Sequence, residues 1–250
     1  MSDGRHRWAR APVGSAQRPR PAPRPHKPPI RLHPTTLWDY PSRTYGSGRQ
    51  GDDTFEAATP AHVIWNLVQR YSRPGDLVVD PMCGSGTTLD VCRETGRVGR
   101  GFDLAPRHPG VERADARRLP LERGVATLWF CDPPYGNHLR YSDDPDCIGR
   151  LSPFEPAYYE AMARVLREAR RVVRPGGTVA LYVCDFWRRH RFAPVGFRLF
   201  SIVERLFEPV DVVAVVRHHE RLERPAFRKA AEEHNFFLRG FNYLFIARRP

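Results

Sequence analysis

Short apolar runs alternate with stretches of helical rhythm along the chain. Leu77-Val78-Val79 follows the turn pair Pro74-Gly75 and stops at Asp80-Pro81. That pattern predicts a buried parallel strand, ended where proline cannot continue a central ladder. Similar runs predict strands over residues 98–103, 111–116, 128–131, 178–183, 210–216 and 241–247. Between them, apolar positions recur at i, i+3 and i+4. Val63, Ile64, Leu67, Val68 and Tyr71 predict a helix within residues 55–71, with Thr59-Pro60 as its start. Met162, Val165, Leu166, Ala169, Val172 and Val173 predict another over 156–174, stopped by Pro175-Gly176-Gly177. A third covers 197–207. Strands alternating with helices argue an α/β fold with a parallel sheet and a crevice at the strand C-termini. The last two strands lack a clear crossover helix and predict an antiparallel pair at the sheet edge.

Composition adds a boundary. Residues 1–34 interleave Arg18, Arg20, Arg24 and Lys27 with prolines and show no hydrophobic period, so they read as a disordered basic tail. Residues 35–250 read as one domain, ample for a core within a 250-residue chain that is 41% hydrophobic. No stretch approaches a membrane span and no apolar leader is visible. The five cysteines form no Cys-x-x-Cys pair. They read as free thiols of a cytoplasmic protein, with no metal site. A net charge of +12 suits a phosphate backbone as partner.

Two turns carry the candidate chemistry. In the first, Asp80-Pro81-Met82-Cys83 runs into Gly84-Ser85-Gly86, and Thr87-Thr88-Leu89 opens a helix. Glycines admit a ligand close to the backbone, and a helix start offers free N–H groups. Leu89 stands where a dinucleotide fingerprint has its third glycine, and no Gly-Lys-Ser/Thr follows, which counts against a nicotinamide dehydrogenase or a P-loop. Asp103 lies about 20 residues past the glycine turn, where an acid accepts hydrogen bonds from ribose hydroxyls. In the second turn, Leu128-Trp129-Phe130-Cys131 ends in Asp132-Pro133-Pro134-Tyr135-Gly136. The prolines stiffen it and withhold N–H groups, leaving carbonyls and the Asp132 carboxylate as acceptors beside a flat ring.

Asp-Pro-Met-Cys-Gly-Ser-Gly-Thr-Thr followed downstream by Asp-Pro-Pro-Tyr resembles the S-adenosylmethionine-dependent methyltransferases that modify exocyclic amino groups of DNA bases. The resemblance covers residue 35 to the C-terminus. It implies a Rossmann-like methyltransferase fold: a mostly parallel seven-stranded sheet with an antiparallel C-terminal strand and helices on both faces. It implies S-adenosylmethionine bound by Asp80, Pro81, Cys83, Gly84, Ser85, Gly86, Thr87, Thr88 and Asp103, with Asp115 meeting the adenine amino group. The segment before the glycine turn would close that pocket, with Thr35, Asp39, Phe55 and Thr59-Pro60 as candidates. Asp132 and the Pro133 carbonyl would hold the target amine, with Pro134 and Tyr135 completing the wall and Tyr135 stacking on the base. The acid in this tetrapeptide leans toward adenine N6, with cytosine N4 open. The main rival is a guanosine N2 methyltransferase of transfer RNA, since Asp-Pro-Pro-Tyr followed by glycine also occurs there. No insert is long enough for an obvious target-recognition domain, as restriction-associated enzymes carry. Residues 137–152 and 217–240 are the candidates for that task, the first as a flap in which His138 reads as a surface histidine.

Overall fold

The computed structural model describes residues 30–40, 42–52, 58–136, 139–218 and 220–250. Most of the tail, Phe55 and His138 lie outside the described residues. In chain order the elements are β1 (Leu37–Trp38), α1 (Ala61–Tyr71), β2 (Leu77–Asp80), α2 (Thr87–Glu94), β3 (Val98–Asp103), β4 (Val111–Arg113) and β5 (Ala126–Cys131). There follow α3 (Pro156–Val172), β6 (Val173–Val183), the short strands β7 (Phe186–Arg188) and β8 (Arg191–Ala193), and α4 (Val195–Leu206). The chain continues with β9 (Glu208–Val216), α5 (Glu220–Glu223), α6 (Pro225–Glu233) and β10 (Phe241–Arg248).

The main sheet has the order β1-β9-β10-β6-β5-β2-β3-β4. Only β10 runs against its neighbours, β6 and β9. From β2 the chain moves outward to β3 and β4, then returns to the other side of β2 as β5. The crevice of this sheet therefore opens between the C-terminal ends of β2 and β5, where the direction of winding reverses. Both faces of the central strands are covered. Val79, Trp129, Cys131, Val179, Leu181 and Val183 point into a core with α3 and α4. Val78, Leu128, Phe130, Ala180 and Tyr182 point into a second core with α1 and α2. That is why these strands read as unbroken apolar runs rather than alternating ones.

Four details depart from the sequence reading. The seven expected strands gain an eighth, β1, parallel to β9 and held by the buried Trp38. The antiparallel β10 lies inside the sheet, not at its edge. The helix α3 also ends before the Pro-Gly-Gly triplet. Val173 already pairs with Ala126, and the next pairing is Leu128 with Thr178, so Pro175-Gly176-Gly177 is an excursion within β6 with Gly176 at φ 74°. Residues 30–34, grouped by composition with the tail, lie against α1: Ile30 packs on the second core, and the His33 N–H donates to Asn66 Oδ1 at 2.9 Å.

Candidate functional site

The glycine turn is built by the acids around it. Asp80, the last residue of β2, accepts from the Met82 N–H at 3.1 Å and from the Thr88 hydroxyl at 2.5 Å, closing the turn onto the start of α2. Burial pushes its carboxyl up to about 7, although those two bonds favour the charged form. Asp103, at the end of β3, accepts from the Gly84 N–H and the Ala105 N–H, each at 3.0 Å, one per oxygen. Each oxygen keeps a lone pair for a further donor. Gly86 enters α2 in the left-handed region at φ 79°, and a Cβ there would sit 2.4 Å from the His108 ring. From the other side, the Asp52 N–H donates to the Ser85 carbonyl at 2.9 Å and the Gly51 N–H to Asp90 at 2.8 Å, strapping residues 51–52 across the turn.

One hollow is bordered by Asp80, Pro81, Cys83, Gly84, Ser85, Thr87, Thr88, Asp103 and Asp115, and also by Asp132, Pro133, Pro134 and Tyr135. Of the residues expected to hold the cofactor or the target amine, Gly86 alone does not border it and forms the helix entry instead. Asp132 follows β5 directly, beside the end of β2, as the winding requires. Its Oδ2 accepts from the Thr59 hydroxyl at 2.6 Å. Burial pushes the Asp132 carboxyl up to about 7. The Thr59 bond opposes that rise and the Asp80 charge adds to it. A second hollow adjoins the first and shares Ala58, Thr59, Asp132 and Tyr135 with it.

Asp115 borders the first hollow but is engaged. Arg117 grips its carboxylate through Nε at 2.9 Å and Nη2 at 2.6 Å, and the same Nη2 donates to the Asp146 carbonyl at 3.0 Å. Burial alone would raise this carboxyl; Arg117 holds it below the ordinary carboxylate range. Arg117 thereby joins a strand-end acid to the loop after the Asp132 turn. That loop supplies Tyr141, Ser142, Cys147 and Ile148 to the first hollow and none of its described residues to the second. It also contains a 3-10 turn, Ile148–Arg150.

Of the pocket-closing candidates, Thr59 borders both hollows and Pro60 the second. Thr35 and Asp39 border neither: the Thr35 carbonyl caps the Trp38 indole, and Asp39 meets His218 at 2.5 Å. The sequence reading missed Arg117, two residues from the acid that it grips, and Tyr182, Arg217 and Asn242, which come to one hollow only when distant strands pair. Residues 217–240 contain α5 and α6, and the segment after α6 meets the unforeseen β7–β8 hairpin, with Trp187 stacked on Phe236 at 4.2 Å.

A family model described as DNA methylase matches residues 13–108. The match takes in the glycine turn and ends before the Asp132 turn. The type II methyltransferase M.ScaI from Streptomyces caespitosus is 31% identical over 78 residues, which are 30% of this chain and 26% of that protein. The chain thus spans about a quarter of the curated relative it matches. Among solved structures, TrmN from Thermus thermophilus is similar at a TM-score of 0.52 and 19% identity, over 79% of this chain and 51% of that one. The [4+2]-cyclase SpnF is similar at a TM-score of 0.52 and 15% identity, over 82% of this chain and 87% of that one. These likenesses show the Rossmann-like methyltransferase fold. A cyclase among them makes plain that the fold does not fix the reaction. No described helix is long and apolar enough to cross a membrane.

Proposed function

We propose, from the premise that the chain belongs to the DNA methylase family whose model it matches, that it methylates an exocyclic amino group of a base in DNA, adenine N6 before cytosine N4. Members of that family use S-adenosylmethionine. The first hollow suits it: the turn brings backbone close, Asp103 has lone pairs left for ribose hydroxyls, and the acids there complement a cation. When bound, the cofactor supplies an electrophilic methyl group.

The observation that carries the reading is Asp132 in the shared wall of the two hollows. An exocyclic amine is a poor nucleophile because its lone pair is delocalised into the ring. The Asp132 carboxylate and the Pro133 carbonyl, accepting its two N–H bonds, draw the nitrogen toward tetrahedral geometry and free that pair. They orient the amine and stabilise the positive charge that develops on it. The nitrogen sheds one proton once methylated, and a carboxylate with an affinity near neutral can take it. Tyr135 supplies an aromatic wall for the base. A target inside a duplex must be flipped out to reach this wall.

The test is incubation with labelled S-adenosylmethionine and separate pools of DNA and total RNA, followed by nucleoside analysis. N6-methyladenine from the DNA pool is the expected product; label confined to RNA overturns the DNA assignment. Asp132→Ala should abolish transfer with cofactor binding nearly intact, and a normal rate in that variant removes the residue from the mechanism. Asp103→Ala should instead weaken cofactor affinity by about 1–3 kcal/mol, as for a lost buried partner.

A further inference from the structure

The second hollow is also bordered by Tyr182, Arg217 and Asn242, at or just beyond the adjacent ends of β6, β9 and β10. Two of these groups lack the partners that burial demands. Asn242 is 3% exposed, yet its side-chain carbonyl oxygen accepts no hydrogen bond. Arg217 is half-buried; among the described residues its guanidinium makes no ion pair and donates only to Cys184 Sγ, at 3.3 Å. A guanidinium keeps its charge at any accessible pH and carries five donors in a fixed fork. Folding a charged fork and an unmet carbonyl into a wall is unfavourable unless something else meets them.

Asp132, an acceptor, borders the same hollow and feels the Arg217 charge. A nucleobase with an exocyclic amine has the complementary edge: N–H donors at the amine, with ring nitrogens or a carbonyl as acceptors beside it. We infer that Arg217 reads the target base by donating hydrogen bonds to its ring acceptors while Asp132 holds the amine, and that the unmet Asn242 carbonyl oxygen, an acceptor in the same hollow, takes a guanidinium N–H and aims that fork, so that these two residues set which base is accepted. The inference rests on the proposed reaction. It adds specificity determinants contributed by β9 and β10, on the opposite side of the sheet from the glycine turn. Tyr135 and Tyr182 supply aromatic surface in the same hollow.

The experiment uses the full chain and DNA oligonucleotides containing its methylated base, either natural or as the deaza analogue that lacks a ring-nitrogen acceptor. Wild type, Arg217→Lys, Arg217→Met and Asn242→Ala are compared by kcat and KM, by calorimetric binding of S-adenosylhomocysteine, and by thermal denaturation. Arg217→Met should lower kcat/KM about 10- to 100-fold, the scale of a lost hydrogen bond from a charged donor. Lysine should restore part of the loss, and cofactor affinity should hold within about threefold, since the first hollow is untouched. Replacing the acceptor in the base should cost wild type as much and cost Arg217→Met nothing more. Asn242→Ala should narrow the gap between the preferred base and its competitors. Unchanged kcat/KM in Arg217→Met, losses that track cofactor binding or melting temperature, or additive effects of the variant and the deaza base each overturn the inference while the methyltransferase reading stands. If wild type methylates no nucleic acid, both fall together.

Discussion

The role proposed for Asp132 needs its charged form in a low-dielectric site. Only the carboxylate can offset the charge developing on the amine and take its proton, and burial pushes this carboxyl up to about 7. The kcat/KM profile should therefore fall with decreasing pH below about 7, toward a slope of one per unit; a flat profile from pH 5 to 9 would detach Asp132 from the reaction. Stability should run the other way. A folded-state value raised above the ordinary 3.8 means that the folded protein holds the proton more tightly. Its contribution is then fully present below about pH 4 and lost as pH rises through about 7. Asp132→Asn should accordingly melt higher than wild type at pH 8, a gap that closes at low pH, as differential scanning calorimetry would record. Asp80, Asp103 and Asp132 were legible in the sequence because acids at strand ends beside glycine or proline announce themselves. Arg217 and Asn242 were not: each looks like one more polar residue at a strand end until three strands bring them to one wall.

The β2–turn–α2 unit owes its shape to backbone that few residues adopt. Gly86→Ala would impose both the left-handed penalty and a contact with the His108 ring at 2.4 Å. Gly75→Ala would meet only the backbone penalty, of about 1 kcal/mol, because nothing lies within 4 Å of its Cβ. Gly86→Ala should thus lower the urea midpoint more than Gly75→Ala and weaken cofactor binding as well; equal midpoints would mean that His108 swings away freely. At this scale most of the fold was readable, since strands covered on both faces and amphipathic helices have strong periods. The β7–β8 hairpin was not. Its strands are too short to have a period, and Arg189 and His190 turn it at φ 50° and 59° without the usual glycine. The start of β6 was misread because a Pro-Gly-Gly triplet reads as a terminator, whereas here the neighbouring strand keeps its pairing around it.

Charge belongs to the molecule as a whole. The net +12 is not confined to the mouth of the crevice: along α3 and the adjoining loops a groove collects Arg117, Arg123, Arg164, Arg167, Arg170, Arg171 and Arg249 around Glu168. Association with nucleic acid should weaken steeply and log-linearly with salt, each phosphate contact adding about 0.9 to the slope on a duplex, whereas cofactor binding should barely respond. Fluorescence titrations from 50 to 400 mM salt measure both; parallel salt responses would argue against a phosphate-backbone partner. One feature of the sheet bears on how the protein is made. β1 and β9 reach the other strands only through β10, which follows them in the chain. β9 leaves the ribosome before β10 does, so the long edge of β6 stays open until residues 241–248 emerge. The seam closes only after translation has passed that point. The base-reading wall that we assign to it is then assembled after the glycine turn.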